Sequence, residues 1–196
     1  MKTIARIARI AALVTTVATL TVAVPATAAA DQPASAVATR SSFHADFEVD
    51  PTAYALSGYS LHVGLGWKRL RLDLGAFAMA LPDFAKSDDS FEVSFDGFGS
   101  KLQYFVLAEQ RGLFVGVDAG VARPLVQRGE LASKDSQYSI GVNAGYRFDL
   151  GAHLYATPWL GVSYAFSAED VTLGGTTYEQ SPVTIFPAVH VGYRFR

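Results

Sequence analysis

The sequence contains no cysteine, which removes disulfide frameworks, thiolate-ligated zinc and iron–sulfur centres, thiol catalysis and lipid attachment at a cysteine. Charge is scarce as well. Asp, Glu, Lys and Arg make up 17% of the 196 residues, below the roughly 25% of an average soluble domain. Basic residues are in no excess, 16 against 18 acidic, so there is no stripe of cations to displace counterions from phosphate, and a nucleic-acid partner is not expected. Long hydrophobic runs are also missing. The one apolar run of note, Ile10 to Val24, is about fifteen residues, short of the roughly 20 that a spanning helix needs. Yet 50% of the residues are hydrophobic, which excludes a disordered chain, and the length is that of one domain.

What is present begins with an ordered N-terminus. Lys2, Arg6 and Arg9 precede the apolar run, and Pro25 and the small residues Ala26 to Ala30 follow it. That order is the order of a cleaved export signal over residues 1–30, with Ala28 and Ala30 as the small pair before the cut. An N-terminal membrane anchor is the alternative, against which the length of the run argues. Removal of the signal leaves 166 residues with 13 basic against 18 acidic, a net charge of -5. Residues 31–40, rich in Ala and Ser, read as a flexible lead.

The remainder, 41–196, alternates. One face carries Phe43, Ala45, Phe47 and Val49; then Tyr59, Leu61, Val63, Leu65 and Trp67; then Leu70, Leu72, Leu74, Ala76, Ala78 and Ala80. The pattern resumes at Phe98, Leu102, Tyr104 and Val106, and again at Leu113, Val115, Val117, Ala119 and Val121. It continues from Tyr138 to Phe148, from Leu154 to Phe166, and from Ile185 to Phe195. Period-two alternation is the signature of a strand with two unlike faces, and these segments predict eight strands. Short connections fall at 68–69, 108–111 and 149–152, and longer polar ones near 82–95, 125–135 and 167–182. Asp50-Pro51-Thr52 is a short exception on the long-loop side.

Short turns on one side, long loops on the other and about 21 residues per strand plus connection are the layout of a transmembrane barrel. Over its whole mature length the chain resembles the small eight-stranded outer-membrane barrels of the OmpA, OmpX and OmpW-like group. The ending Gly192-Tyr193-Arg194-Phe195 resembles their C-terminal assembly signal, with Arg196 as an extra residue. The resemblance implies an all-β, antiparallel up-and-down barrel in a bacterial outer membrane. Its partners would be outer-membrane lipids and lipopolysaccharide, with the barrel assembly machinery during biogenesis and a surface ligand unknown. With nothing after the barrel, no peptidoglycan-binding domain of the OmpA kind is expected.

A soluble lipocalin-like barrel would alternate too, with its apolar face inward. Position along the strand separates the two. Trp67, Tyr104, Tyr146, Phe148, Tyr193 and Phe195 lie near the short turns, and Tyr59, Tyr138, Tyr164 and Phe166 near the long loops, as in the aromatic girdles of a membrane barrel. The opposite face is then the bore. An eight-stranded bore is just wide enough to be filled by side chains, so its charges should pair. Placing Val106 opposite Leu113 sets Lys101 opposite Asp118 and Phe105 opposite Phe114; the two-residue turn sets Arg71 opposite Gly66 and Asp73 opposite Gly64. The expected polar network comprises Arg71, Asp73, Lys101, Asp118, Arg147, His190 and Arg194, with Asp46 and with Lys101–Asp118 as one ion pair.

Catalytic chemistry is weakly signalled. Ser60-Leu61-His62 is the nearest constellation, of interest because some outer-membrane barrels modify lipid A with a His and a Ser. Residues two apart on a strand are about 6.6 Å apart, however, and no acid stands beside them in sequence. Of the histidines His44, His62, His153 and His190, the pair His62 and His190 lacks a nearby carboxylate pattern and is a weak metal signal, Gly64-Leu65-Gly66 precedes a strand and so is no phosphate loop, and no cofactor or metal is expected. The acidic loops read as solvated, contact with divalent cations at a lipopolysaccharide surface being the alternative. The expectation is therefore a non-enzymatic barrel with a structural or surface-interaction role. A narrow channel for small or apolar solutes is the alternative, and lipid A modification a third.

Overall fold

The computed structural model describes residues 43–107 and 109–195. The signal segment, the lead before residue 43 and Arg196 lie outside the described residues. Eight strands form the wall: β1 (Phe43–Val49), β2 (Tyr59–Trp67), β3 (Leu70–Ala80), β4 (Glu92–Phe105), β5 (Gly112–Arg128), β7 (Gln137–Asp149), β8 (Leu154–Ala165) and β11 (Val183–Phe195). Each pairs antiparallel with its neighbours, and β1 closes the sheet by pairing with both β2 and β11. The protein is an all-β, closed, eight-stranded antiparallel barrel.

The faces are distributed as hydrocarbon demands. Leu113, Val115 and Val142 are 60%, 61% and 60% exposed, while Asp46, Arg71 and Asp73 are each 1% exposed. A barrel folded for water would reverse this order. Closure leaves no strand edge along most of the wall, the condition for placing a sheet in lipid.

Register follows from the short turns. Lys68 and Arg69 alone join β2 to β3, which sets Gly66 opposite Arg71 and Gly64 opposite Asp73. Val106 N–H donates to Leu113 O at 2.9 Å, and behind that turn Phe105 faces Phe114 and Lys101 faces Asp118. Pro158 has no N–H to contribute, and the β7–β8 ladder skips Tyr146 and Arg147 at that level.

Three connections differ from expectation. The first is not a three-residue link. Residues 50–58 form it and contain the helical turn α1 (Pro51–Ala55), for which Asp50 is the N-cap, accepting from Thr52 N–H at 2.9 Å, with Pro51 in the first turn. α1 packs against β11, β2 and β3 where β1 has ended: β1 stops at Val49 opposite Val191, while β11 runs on to Val183 beside β8. The second is the segment read as a loop at 125–135. β5 continues to Arg128 and folds back through a turn at Gly129 (φ +59) into β6 (Leu131–Lys134). In the third, 167–182, β9 (Val171–Leu173) and β10 (Thr176–Tyr178) form a hairpin at Gly174-Gly175, whose φ values of +58 and +77 suit a tight primed turn.

Above the wall these loops build a small apolar core of their own. Phe91, Val93, Val126 and Tyr178 are buried together, with Leu81, Val171 and Leu173 packed against them. Arg128 ties the cluster, its Nη1 donating to the carbonyls of Leu173 (3.2 Å) and Gly174 (3.3 Å).

Candidate functional site

The bore is assembled from every second residue of the strands. β1 contributes Asp46 and Glu48, β2 Ser60 and His62, β3 Arg71 and Asp73, β4 Lys101 and Gln103, β7 Asn143 and Arg147, β8 Tyr155, Thr157 and Trp159, and β11 His190 and Arg194. Glycine provides the room. A Cβ at Gly64 would meet the Asp46 carboxylate and the Arg71 guanidinium, and one at Gly192 would meet the Tyr155 ring.

Arg71 is the hub. Its Nη2 lies 2.6 Å from Asp46 Oδ1 and 3.3 Å from Glu48 Oε2, its Nη1 lies 3.0 Å from Asp73 Oδ2, and the same Nη1 donates to Gln103 Oε1 at 2.9 Å. Arg147 completes the network from the far wall. It donates to Glu48 Oε1 at 2.8 Å and to Thr157 Oγ1 at 3.3 Å, and its guanidinium lies 4.2 Å from the Tyr155 ring centre. His190 Nδ1 is 2.9 Å from Glu48 Oε2, and His62 Nδ1 is 2.9 Å from Asp73 Oδ1, with the two imidazoles 4.6 Å apart. Three carboxylates, Asp46, Glu48 and Asp73, thus meet three cations, Arg71, Arg147 and Lys101. This is the pairing that burial of charge requires.

The seven expected network residues divide. Arg71, Asp73, Lys101, Arg147 and His190 fall within one connected set. Lys101 does not pair with Asp118, although the two are opposite in register; its Nζ lies 3.3 Å from Asp73 Oδ1 and 4.6 Å from the Trp159 ring centre. Asp73 is also its register partner, across β3–β4. Asp118 instead accepts from Asn143 Nδ2 and Ser163 Oγ, each at 3.0 Å. Arg194 sits at the short-turn end, 3.9 Å from Asp149, and donates to Gln110 O at 3.3 Å.

Several participants were not singled out from sequence. Glu48 and Gln103 share strand parity with Asp46 and Lys101, and Tyr155 and Trp159 alternate with the apolar face of the segment from Leu154 to Phe166, so alternation alone could have found them. Gln110 could not be found that way, because it lies in a turn at φ +54 and is fully buried. Near His62 the acid missing from the local sequence comes from Asp73 on the next strand. Ser60 Oγ is buried and makes no hydrogen bond, to His62 or otherwise.

The ten girdle aromatics, Tyr59, Trp67, Tyr104, Tyr138, Tyr146, Phe148, Tyr164, Phe166, Tyr193 and Phe195, all face outward and are exposed. Several stand in adjacent pairs, Tyr146–Phe148 with ring centres 4.4 Å apart and Tyr193–Phe195 at 5.2 Å.

An apolar wall around a bore packed with its own ion pairs defines a small transmembrane β-barrel. No protein-family model matches the sequence, and no curated protein matches it. Among solved structures it is similar to Neisserial surface protein A (NspA), at 15% identity and a TM-score of 0.45, over 78% of this chain and 92% of that one. It is also similar to the N-terminal β-barrel domain of Pseudomonas aeruginosa OprF, at 13% identity and a TM-score of 0.46, over 79% of this chain and 98% of that one.

Proposed function

We propose that this protein is an integral outer-membrane barrel with a closed bore, serving a structural or surface-presenting role without catalysis. One observation carries the proposal. Arg71, Arg147, Asp46 and Asp73, each 1% exposed, meet across the bore from β1, β3 and β7, which supports a bore filled by its own side chains at that level. Closing a pore in this way is what an eight-stranded interior allows, since its diameter matches the reach of side chains from opposite walls. The folded cap of outer loops adds a fixed surface on the other side of the wall.

On this reading the short turns face the periplasm, and the outer loops, rich in acid, face outward. The partners are outer-membrane lipids and lipopolysaccharide, with the assembly machinery acting at Gly192-Tyr193-Arg194-Phe195 during biogenesis. Single-channel recording of the refolded protein tests the closed bore. The expected result is a bilayer without unit steps. Discrete steps that disappear when Arg71 or Lys101 is replaced, with the outer loops untouched, would favour the narrow channel and overturn the proposal.

A further inference from the structure

The turn between β2 and β3 has two residues, and both are basic. Lys68 sits at φ +53, in the left-handed region, where a side chain crowds its own backbone and glycine or asparagine is the favoured occupant of a tight hairpin. The backbone there is clamped. Buried Gln110 donates from Nε2 to the carbonyls of Lys68 (3.1 Å) and Leu70 (2.7 Å), and Phe105 N–H donates to Arg69 O at 2.8 Å. The carbonyls of both turn residues and of Leu70 are therefore held, and the two side chains project from a rigid base.

They project along the lipid-facing wall. Lys68 Nζ lies 4.8 Å from the Trp67 ring centre, and Arg69 Nη1 donates to the Tyr104 hydroxyl at 3.2 Å. With Leu70, these four residues line a groove of about 310 Å³ on the outside of the barrel. Among the described residues no carboxylate pairs with Lys68 or Arg69. The ammonium keeps its three donors, and the guanidinium keeps all but the one given to Tyr104.

We propose that this groove seats one anionic phospholipid of the surrounding membrane, its phosphate between Lys68 and Arg69 and an acyl chain against Trp67, Leu70 and Tyr104. Charge complementarity selects the occupant. A soluble anion has no use for the apolar floor, and an uncharged apolar molecule has none for the two cations. Trp and Tyr at headgroup level, with basic residues beside them, are the elements that anchor proteins at a membrane interface. The inference rests on the membrane-barrel reading for the lipid that bathes this wall, and adds to it a defined position and a headgroup charge.

The test uses the protein's 2 tryptophans. Trp159 faces the bore beneath Lys101, so brominated acyl chains quench Trp67 alone. The full chain is refolded into phosphatidylcholine vesicles containing a minor fraction of brominated phosphatidylglycerol or, in parallel, brominated phosphatidylcholine. The anionic lipid should occupy the contact about fivefold more than its mole fraction predicts. The preference should vanish in a K68N/R69Q variant, in which Asn still accepts positive φ. Lys68→Gly, which relaxes the turn, should lower it in part. A wild-type preference near one, or an undiminished one in K68N/R69Q, overturns the groove while a heat-shifted gel band keeps the barrel. No heat-shifted band, with Trp67 unquenched by any lipid, overturns the barrel and the groove with it.

Discussion

The wall and the cap of this molecule obey opposite burial patterns. In the wall, Leu113, Val115 and Val142 face outward while Asp46, Arg71 and Asp73 are buried. In the cap, Phe91, Val93, Val126 and Tyr178 are buried, and the exposed positions include Asp89, Glu130, Glu169 and Asp170. One chain therefore solves two problems a few residues apart, and β5 crosses the boundary, with Val117 turned out and Val126 turned in. The physical rule is the same in both places. Apolar surface goes where no water is, and polar groups that lose water must find partners. What changes is the solvent outside. Arg123 and Lys134, both paired with Asp96, stand on the outer face of the wall between the two regimes.

Removing the hub of the bore should perturb the wall more than any other single change. Arg71→Met leaves Asp46 with only Arg147, 3.9 Å away, and takes one cation from each of Glu48 and Asp73. Uncompensated buried charge of this kind costs about 3–5 kcal/mol. Urea unfolding from vesicles, followed by the loss of the heat-shifted band, should move by that amount. Adding Asp46→Asn should restore part of it, because the buried carboxylate left farthest from a cation is then removed. Equal stability of Arg71→Met and wild type would mean that the bore is wet enough to solvate the carboxylates, and would count against a closed interior.

A smaller effect is expected on the outward face. On β5, Val117 lies midway between Leu113, opposite the girdle residue Tyr146, and Val121, opposite the girdle residue Tyr138, and it is 55% exposed. In a water-soluble barrel Val117→Arg would be nearly silent, within about 0.5 kcal/mol. At the middle of a bilayer the same change costs about 2–4 kcal/mol. The same urea experiment separates the two, and a silent substitution would refute the lipid-facing wall.

Most of this wall was legible because a strand in a barrel must alternate, and because a short turn fixes register for both strands it joins. The pairs Gly64–Asp73 and Lys101–Asp118 followed from such turns. The partner of Lys101 did not. It has carboxylates opposite on both sides, Asp73 across β3–β4 and Asp118 across β4–β5, and a long loop between β3 and β4 transmits no register to the sequence reader. The identity of the hub was hidden for a related reason, since Arg71 reaches across strands to Glu48 and Asp46, and contact across a bore leaves no trace in spacing. The cap was missed because its order comes from contacts between three separate loops. Only the Gly174-Gly175 pair was a local signal for its hairpin.

The smallest effect on the barrel should come from the cap, and it tests whether the two regions are separate cooperative units. Phe91 is wholly buried, against Tyr178 at a ring-centre distance of 5.4 Å and beneath Arg128 at 5.7 Å. Truncating a buried Phe to Ala removes about 3–5 kcal/mol from the unit that contains it. The cap core is a handful of residues, so that loss should open it locally, in the manner of a low-stability segment on a stable scaffold. Phe91→Ala should therefore make Lys86 and Arg128 accessible to trypsin. Lys86 otherwise donates to Phe91 O at 2.9 Å, and Arg128 is tied to Leu173 and Gly174. The unfolding midpoint of the wall should stay within about 0.5 kcal/mol of wild type. If the midpoint falls as far as it does for Arg71→Met, the cap and the wall unfold together, and the outer loops are then part of what holds the barrel closed.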